Sequence, residues 1–93
     1  MEYILDTKEK ISNVPKNTEV LKCYKIYLTS LKDTESLVYL REINCSFNYL
    51  TSLNGLERLN SLEVLNCSHN SLDGYLNQWI RNPNDFPSLK ELN

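Results

Sequence analysis

Three cysteines, Cys23, Cys45 and Cys67, carry the most reactive side chains of this chain, and Cys67 is followed directly by Ser68 and His69. Thiolates beside an imidazole can act as nucleophiles or bind soft metals, so both chemistries are weighed first. A local zinc site needs paired cysteines at C-x2-C spacing, whereas these cysteines stand 22 residues apart. A nucleophile–base pair needs the two side chains on one side of the backbone. Adjacent residues of a strand point to opposite faces, so Cys67 and Ser68 diverge; His69 lies at the strand's end, at the position of Lys25 and Phe47, and no acidic residue at a fixed spacing completes a triad. No catalytic residue, metal ligand or cofactor site is expected, and the chain is not read as an enzyme. Asn44-Cys45-Ser46 and Asn66-Cys67-Ser68 match the N-x-[ST] glycosylation pattern. The N-terminal run Met1–Lys10 lacks the basic start and apolar stretch of a secretory signal, so glycosylation is not expected. An odd cysteine count in a short chain also argues against a disulfide framework. The expected role of the cysteines is that of small buried hydrophobes, with cross-linking of stacked neighbours under oxidation as the alternative.

The cysteine spacing is more informative as a ruler. Sliding the chain by 22 residues aligns Leu21 with Ile43 and Leu65, Leu28 with Leu50 and Leu72, and Leu31 with Leu53 and Tyr75. Leu37 aligns with Leu59, Leu40 with Leu62, and Asn48 with Asn70, while Ile26 holds the asparagine position in the first copy. Self-similarity at a fixed period of this length is the mark of a repeat architecture. The unit reads Leu-x-x-Leu-x-Cys-x-x-Asn-x-Leu at residues 40–50, as Leu-Arg-Glu-Ile-Asn-Cys-Ser-Phe-Asn-Tyr-Leu, and again at 62–72.

In this wording the chain resembles the leucine-rich repeat family, over residues 18–93. The resemblance implies an α/β fold: a right-handed solenoid with parallel strands on a concave face and short helices or turns on the convex side. One domain, 1–93, is expected. Residues 1–17 form an N-terminal flank or partial cap, of which 1–10 either cap the end in part or fray, and the repeats run over about 18–39, 40–61 and 62–88, with a truncated copy at 89–93. The first repeat is degenerate, with Thr18 and Ile26 off pattern. The resemblance further implies that Asn48 and Asn70 bond through their amides to backbone groups of adjacent turns.

The period assigns directions to the side chains. Leu-x-Cys places two apolar groups on one strand face, so Leu21, Ile43, Leu65 and Leu92 form one inward column and the cysteines another. The return arm of the second repeat spaces Leu53, Leu56 and Leu59 three apart, which suits a 3₁₀-like segment. In the longer third repeat, Leu76, Trp79 and Ile80 have helical spacing, ended by Asn82-Pro83; Trp79 is expected in the core of that arm, with an exposed aromatic anchor as the alternative. Phe86 takes the place of Leu37 and Leu59. Outward strand positions remain as the candidate binding surface: Lys22, Tyr24, Glu42, Asn44, Ser46, Val64, Asn66 and Ser68, with Phe47 and His69 at the rim beside Lys25. The family usually binds proteins on this concave face.

Composition narrows the partner. A net charge of -2 over 93 residues argues against a nucleic-acid binder or an anionic-membrane binder, and no apolar run is long enough to span a bilayer. The expectation is a non-catalytic, intracellular, cytoplasmic protein-interaction module that takes a protein or peptide on its concave face. The alternatives are a truncated fragment of a longer repeat protein without activity of its own, or the substrate-recognition part of a larger enzyme such as a ubiquitin ligase. The chain ends inside a strand motif at Leu92-Asn93, so self-association through an open edge strand is also expected.

Overall fold

The computed structural model describes residues 1–72 and 85–93. The helix expected at 75–80, its end at Asn82-Pro83, and the placements of Tyr75 and Trp79 lie outside the described residues.

The repeats at Leu21-x-Cys23, Ile43-x-Cys45 and Leu65-x-Cys67 each supply one three-residue strand, because the pattern offers a single apolar pair per period. The strands are β1 (Glu2–Ile4), β2 (Val20–Lys22), β3 (Glu42–Asn44), β4 (Val64–Asn66) and β5 (Glu91–Leu92). They form one parallel sheet in sequence order, β1-β2-β3-β4-β5. Register follows the repeat: Leu21 pairs with Ile43 and Ile43 with Leu65. In β2, β3 and β4 the middle residue is buried between two half-buried neighbours, as period-2 alternation requires. Beyond each strand, backbone bonds continue the ladder, from Cys23 N–H to Asn44 O (2.9 Å) and from Cys45 N–H to Asn66 O (2.8 Å).

A parallel neighbour requires the chain to travel back, and the return segments do so by a three-residue step. Leu56 N–H donates to Leu53 O, Leu59 N–H to Leu56 O and Leu62 N–H to Leu59 O, at 3.0, 3.1 and 3.4 Å. The preceding return repeats the pattern through Leu31, Thr34, Leu37 and Leu40. Bonds between residues three apart are 3₁₀ geometry, and 3₁₀ helices occur at Ile11–Asn13 and Lys32–Ser36. Every third residue therefore faces inward, and Leu31, Leu37, Leu40, Leu53, Leu56 and Leu62 are all fully buried. Each contributes roughly 1.5–3 kcal/mol. These leucines join the strand residues and the three cysteines in one core. Phe86 is buried in the same core, as its place in the pattern predicts.

Successive returns pack tightly. Gly55 has φ +112°, and a Cβ there would lie 2.1 Å from Leu31 O. Thr18 occupies the position of Leu40 and Leu62 and is completely buried, but its hydroxyl has no hydrogen-bond partner among the described residues.

One alternative falls away and one expectation needs correction. Of the two readings of 1–10, a partial cap or a frayed end, fraying does not hold at residues 2–4, which pair with β2 as Glu2↔Val20, Tyr3↔Leu21 and Ile4↔Lys22. Leu5 is buried where later repeats place a cysteine, and Tyr3 donates its hydroxyl to Glu9. Leu92 does pair with Leu65, yet it is 39% exposed, because β5 is at the edge of the sheet and no further strand among the described residues pairs with it.

Candidate functional site

The surface that the repeat pattern turns outward is the uncovered side of the sheet. Register places Val20, Glu42, Val64 and Glu91 side by side, and Lys22, Asn44 and Asn66 beside them. Neighbouring strands are about 4.8 Å apart, so these side chains form two continuous rows. They line a depression of about 220 Å³. One row alternates valine with glutamate. The other is cationic at one end and carries amides after it. Lys22 Nζ lies 3.6 Å from the Glu2 carboxylate. Both groups are well exposed, so the pair is worth at most about 1 kcal/mol.

The asparagines of this row are oriented locally. Asn44 Oδ1 accepts from Ser46 N–H (3.1 Å) and Ser46 Oγ–H (2.6 Å). Asn66 Oδ1 accepts from Ser68 N–H (3.2 Å) and Ser68 Oγ–H (2.9 Å). With Oδ1 engaged, and no bond from Nδ2 among the described residues, each asparagine has its Nδ2 amide to offer a partner. The same bonds correct the expectation for Ser46. It is only 4% exposed, because β3 ends at Asn44 and the following turn folds the serine under its cap. Ser68 is half-buried and Tyr24 is exposed.

Asn48 and Asn70 sit one turn further on and serve the backbone. Asn48 Oδ1 accepts from Ile26 N–H (3.1 Å) and Leu28 N–H (2.9 Å). Its Nδ2 donates to Cys23 O (2.9 Å), Cys45 O (3.0 Å) and Ser46 O (3.2 Å). Asn70 repeats the arrangement with Leu50 N–H, Cys45 O, Cys67 O and Ser68 O. These side chains fasten each turn to the previous one and are structural rather than available to a ligand.

At the rim, a row of side chains that the period aligns is physically stacked. Phe47 and His69 lie with ring centroids 4.1 Å apart and planes 11° from parallel, and Lys25 Nζ lies 5.0 Å from the Phe47 centroid. A second row, Tyr27 over Tyr49, has centroids 6.1 Å apart. The tyrosines were not among the candidates read from the sequence, although Tyr27 and Tyr49 are themselves 22 apart; that periodicity was the signal that could have found them.

The thiols are not poised for chemistry. All three are free and buried. Burial pushes Cys23 up to about 12 and raises Cys45 and Cys67 as well, which removes the thiolate that nucleophilic attack requires. Among the described residues no cluster of His, Cys, Asp or Glu could hold a metal ion, and no helix is long and apolar enough to cross a membrane.

Comparison with known proteins finds no matching family model, no matching curated protein and no matching solved structure.

Proposed function

We propose that the chain is a leucine-rich-repeat-type solenoid and that it binds a protein or peptide on the uncovered, concave side of its sheet, without catalysis. What carries the reading is the register of the outward residues. Val20, Glu42, Val64 and Glu91 stand in one row and Lys22, Asn44 and Asn66 in the next. Apolar patches, both charges and amide donors thus lie on a rigid strand scaffold, a mixture that suits an extended peptide better than a phosphate backbone. The stacked Asn48 and Asn70 bonds and the repeated three-residue returns also support the solenoid reading, since each repeat contacts mainly its neighbours.

The test is selection of binders from a random peptide display library, followed by rescreening against the Lys22→Glu/Glu42→Lys double variant. The swap keeps the net charge and changes two half-buried side chains on the outward side of the sheet, outside the core, so the circular dichroism spectrum and melt should be retained. Selected binders should lose about tenfold or more in affinity, as expected when contacts near the centre of an interface are reversed. Binders that ignore the swap would remove the sheet face as the site.

A further inference from the structure

The stacked rim is a second surface, separate from the sheet face. Lys25, Phe47 and His69 have φ of 58°, 56° and 57°, and Tyr27 has 62°. Residues other than glycine, asparagine or aspartate are uncommon in this left-handed region. The turn requires that backbone, but it does not require these side chains; glycine or asparagine would fit with less strain. The side chains also contribute little burial: Phe47 is 48% exposed, Tyr49 62% and Tyr27 69%. Bulky exposed groups held in a strained conformation at the same point of successive repeats are a feature of binding sites rather than of cores.

We propose that the groove between the two rows docks an extended acidic segment of a partner protein, with carboxylates on one side and apolar side chains on the other. The groove has a volume of about 420 Å³ and is lined by Lys25, Tyr27, Phe47, Asn48, Tyr49 and His69. That falls within the range of small-ligand sites, ~300–1,000 Å³. None of its lining residues is acidic, although the chain as a whole carries a net charge of -2. The choice of occupant follows from charge. Lys25 Nζ lies over the Phe47 ring at the groove's wall, and a carboxylate is attracted to that ammonium while meeting no like charge in the lining. Three rungs at strand spacing span roughly 10 Å, the length of about three extended residues. Side chains of an extended peptide alternate in direction, so one edge presents carboxylates to the Lys25 row while the other lays aliphatic groups against the tyrosines.

Fluorescence anisotropy of the full chain tests this with three labelled probes: an octapeptide alternating Asp or Glu with Leu or Val, its Lys-for-acid counterpart, and an oligo-dT of equal length. The acidic peptide should bind with Kd below about 1 mM and roughly tenfold more tightly than the other two. Lys25→Glu should weaken it about tenfold. Phe47→Gly should also weaken it at least about fivefold while leaving the melt intact, since glycine suits the left-handed turn. The Lys22→Glu/Glu42→Lys swap should leave it unchanged, which separates this site from the sheet face. Absence of binding, preference for the oligonucleotide or the lysine peptide, or acidic-peptide affinity unmoved by Lys25→Glu and Phe47→Gly would each overturn the proposal.

Discussion

Replacing Asn48 by alanine should cost more stability than any other single polar truncation in the described chain. The magnitude follows from counting which backbone groups lose their last partner. Cys45 O retains a bond from Asn70 Nδ2, and Ser46 O retains one from Lys25 N–H. Ile26 N–H, Leu28 N–H and Cys23 O are bonded by the Asn48 side chain, and alanine leaves all three without it. A buried backbone group without a partner costs about 1–3 kcal/mol. Two of the three bonds are only part-buried, and water can reach those donors, so the lower end applies and the total is about 3 kcal/mol. In Asn70→Ala the groups losing this support are Leu50 N–H and Cys67 O, which gives about 2 kcal/mol on the same scale. For a domain of this size 1 kcal/mol shifts Tm by about 4–8 °C, so Asn48→Ala should melt roughly 15 °C below the parent. Urea unfolding followed by far-ultraviolet circular dichroism gives both values, with an unchanged m value as the sign that the folded state is intact. A cost under about 1 kcal/mol for Asn48→Ala, or a larger cost for Asn70→Ala than for Asn48→Ala, would refute the reasoning.

Further outcomes follow from the same packing. Gly55→Ala places a Cβ 2.1 Å from Leu31 O at φ +112°, and a thermal melt should show a loss above about 2 kcal/mol. Thr18→Val keeps the volume and removes a buried hydroxyl without a partner among the described residues, so chemical denaturation should show a gain of about 1 kcal/mol. Stability should fall at alkaline pH. The Cys23 thiol is raised from 9.0 to about 12 by burial, so its contribution is fully present below the unfolded value and is lost as pH rises from there through the folded one, at up to about 1.4 kcal/mol per pH unit. Cys23→Ala should flatten that decline in a pH series of denaturation curves, and an identical slope in the variant would contradict it.

The central strands were legible because Cys23, Cys45 and Cys67 repeat at the same interval as Leu21, Ile43 and Leu65, and parallel pairing converts an equal interval into an equal register. β1 was hidden because Tyr3 lies 18 residues before its partner Leu21, a shorter return, and because Leu5 takes the cysteine position. Alternation alone sent Ser46 outward; a side-chain cap from Asn44 bent it inward, and strand periodicity carries no record of such a cap. Lys22, Glu42, Val64 and Asn66 fall where alternation puts them, since inside a strand side-chain direction depends on parity alone. The stacking of Phe47 on His69 depends on a left-handed residue at the turn, a conformation that neither Phe nor His announces by composition.

The central claim, that the register-aligned outward residues of the sheet form the binding face, is tested most directly by chemical-shift mapping of the ¹⁵N-labelled chain with a peptide selected from the display library. The largest perturbations are expected at Lys22, Glu42, Asn44, Val64 and Asn66. Perturbations confined to the return segments around 32–36 and 53–59 would contradict it.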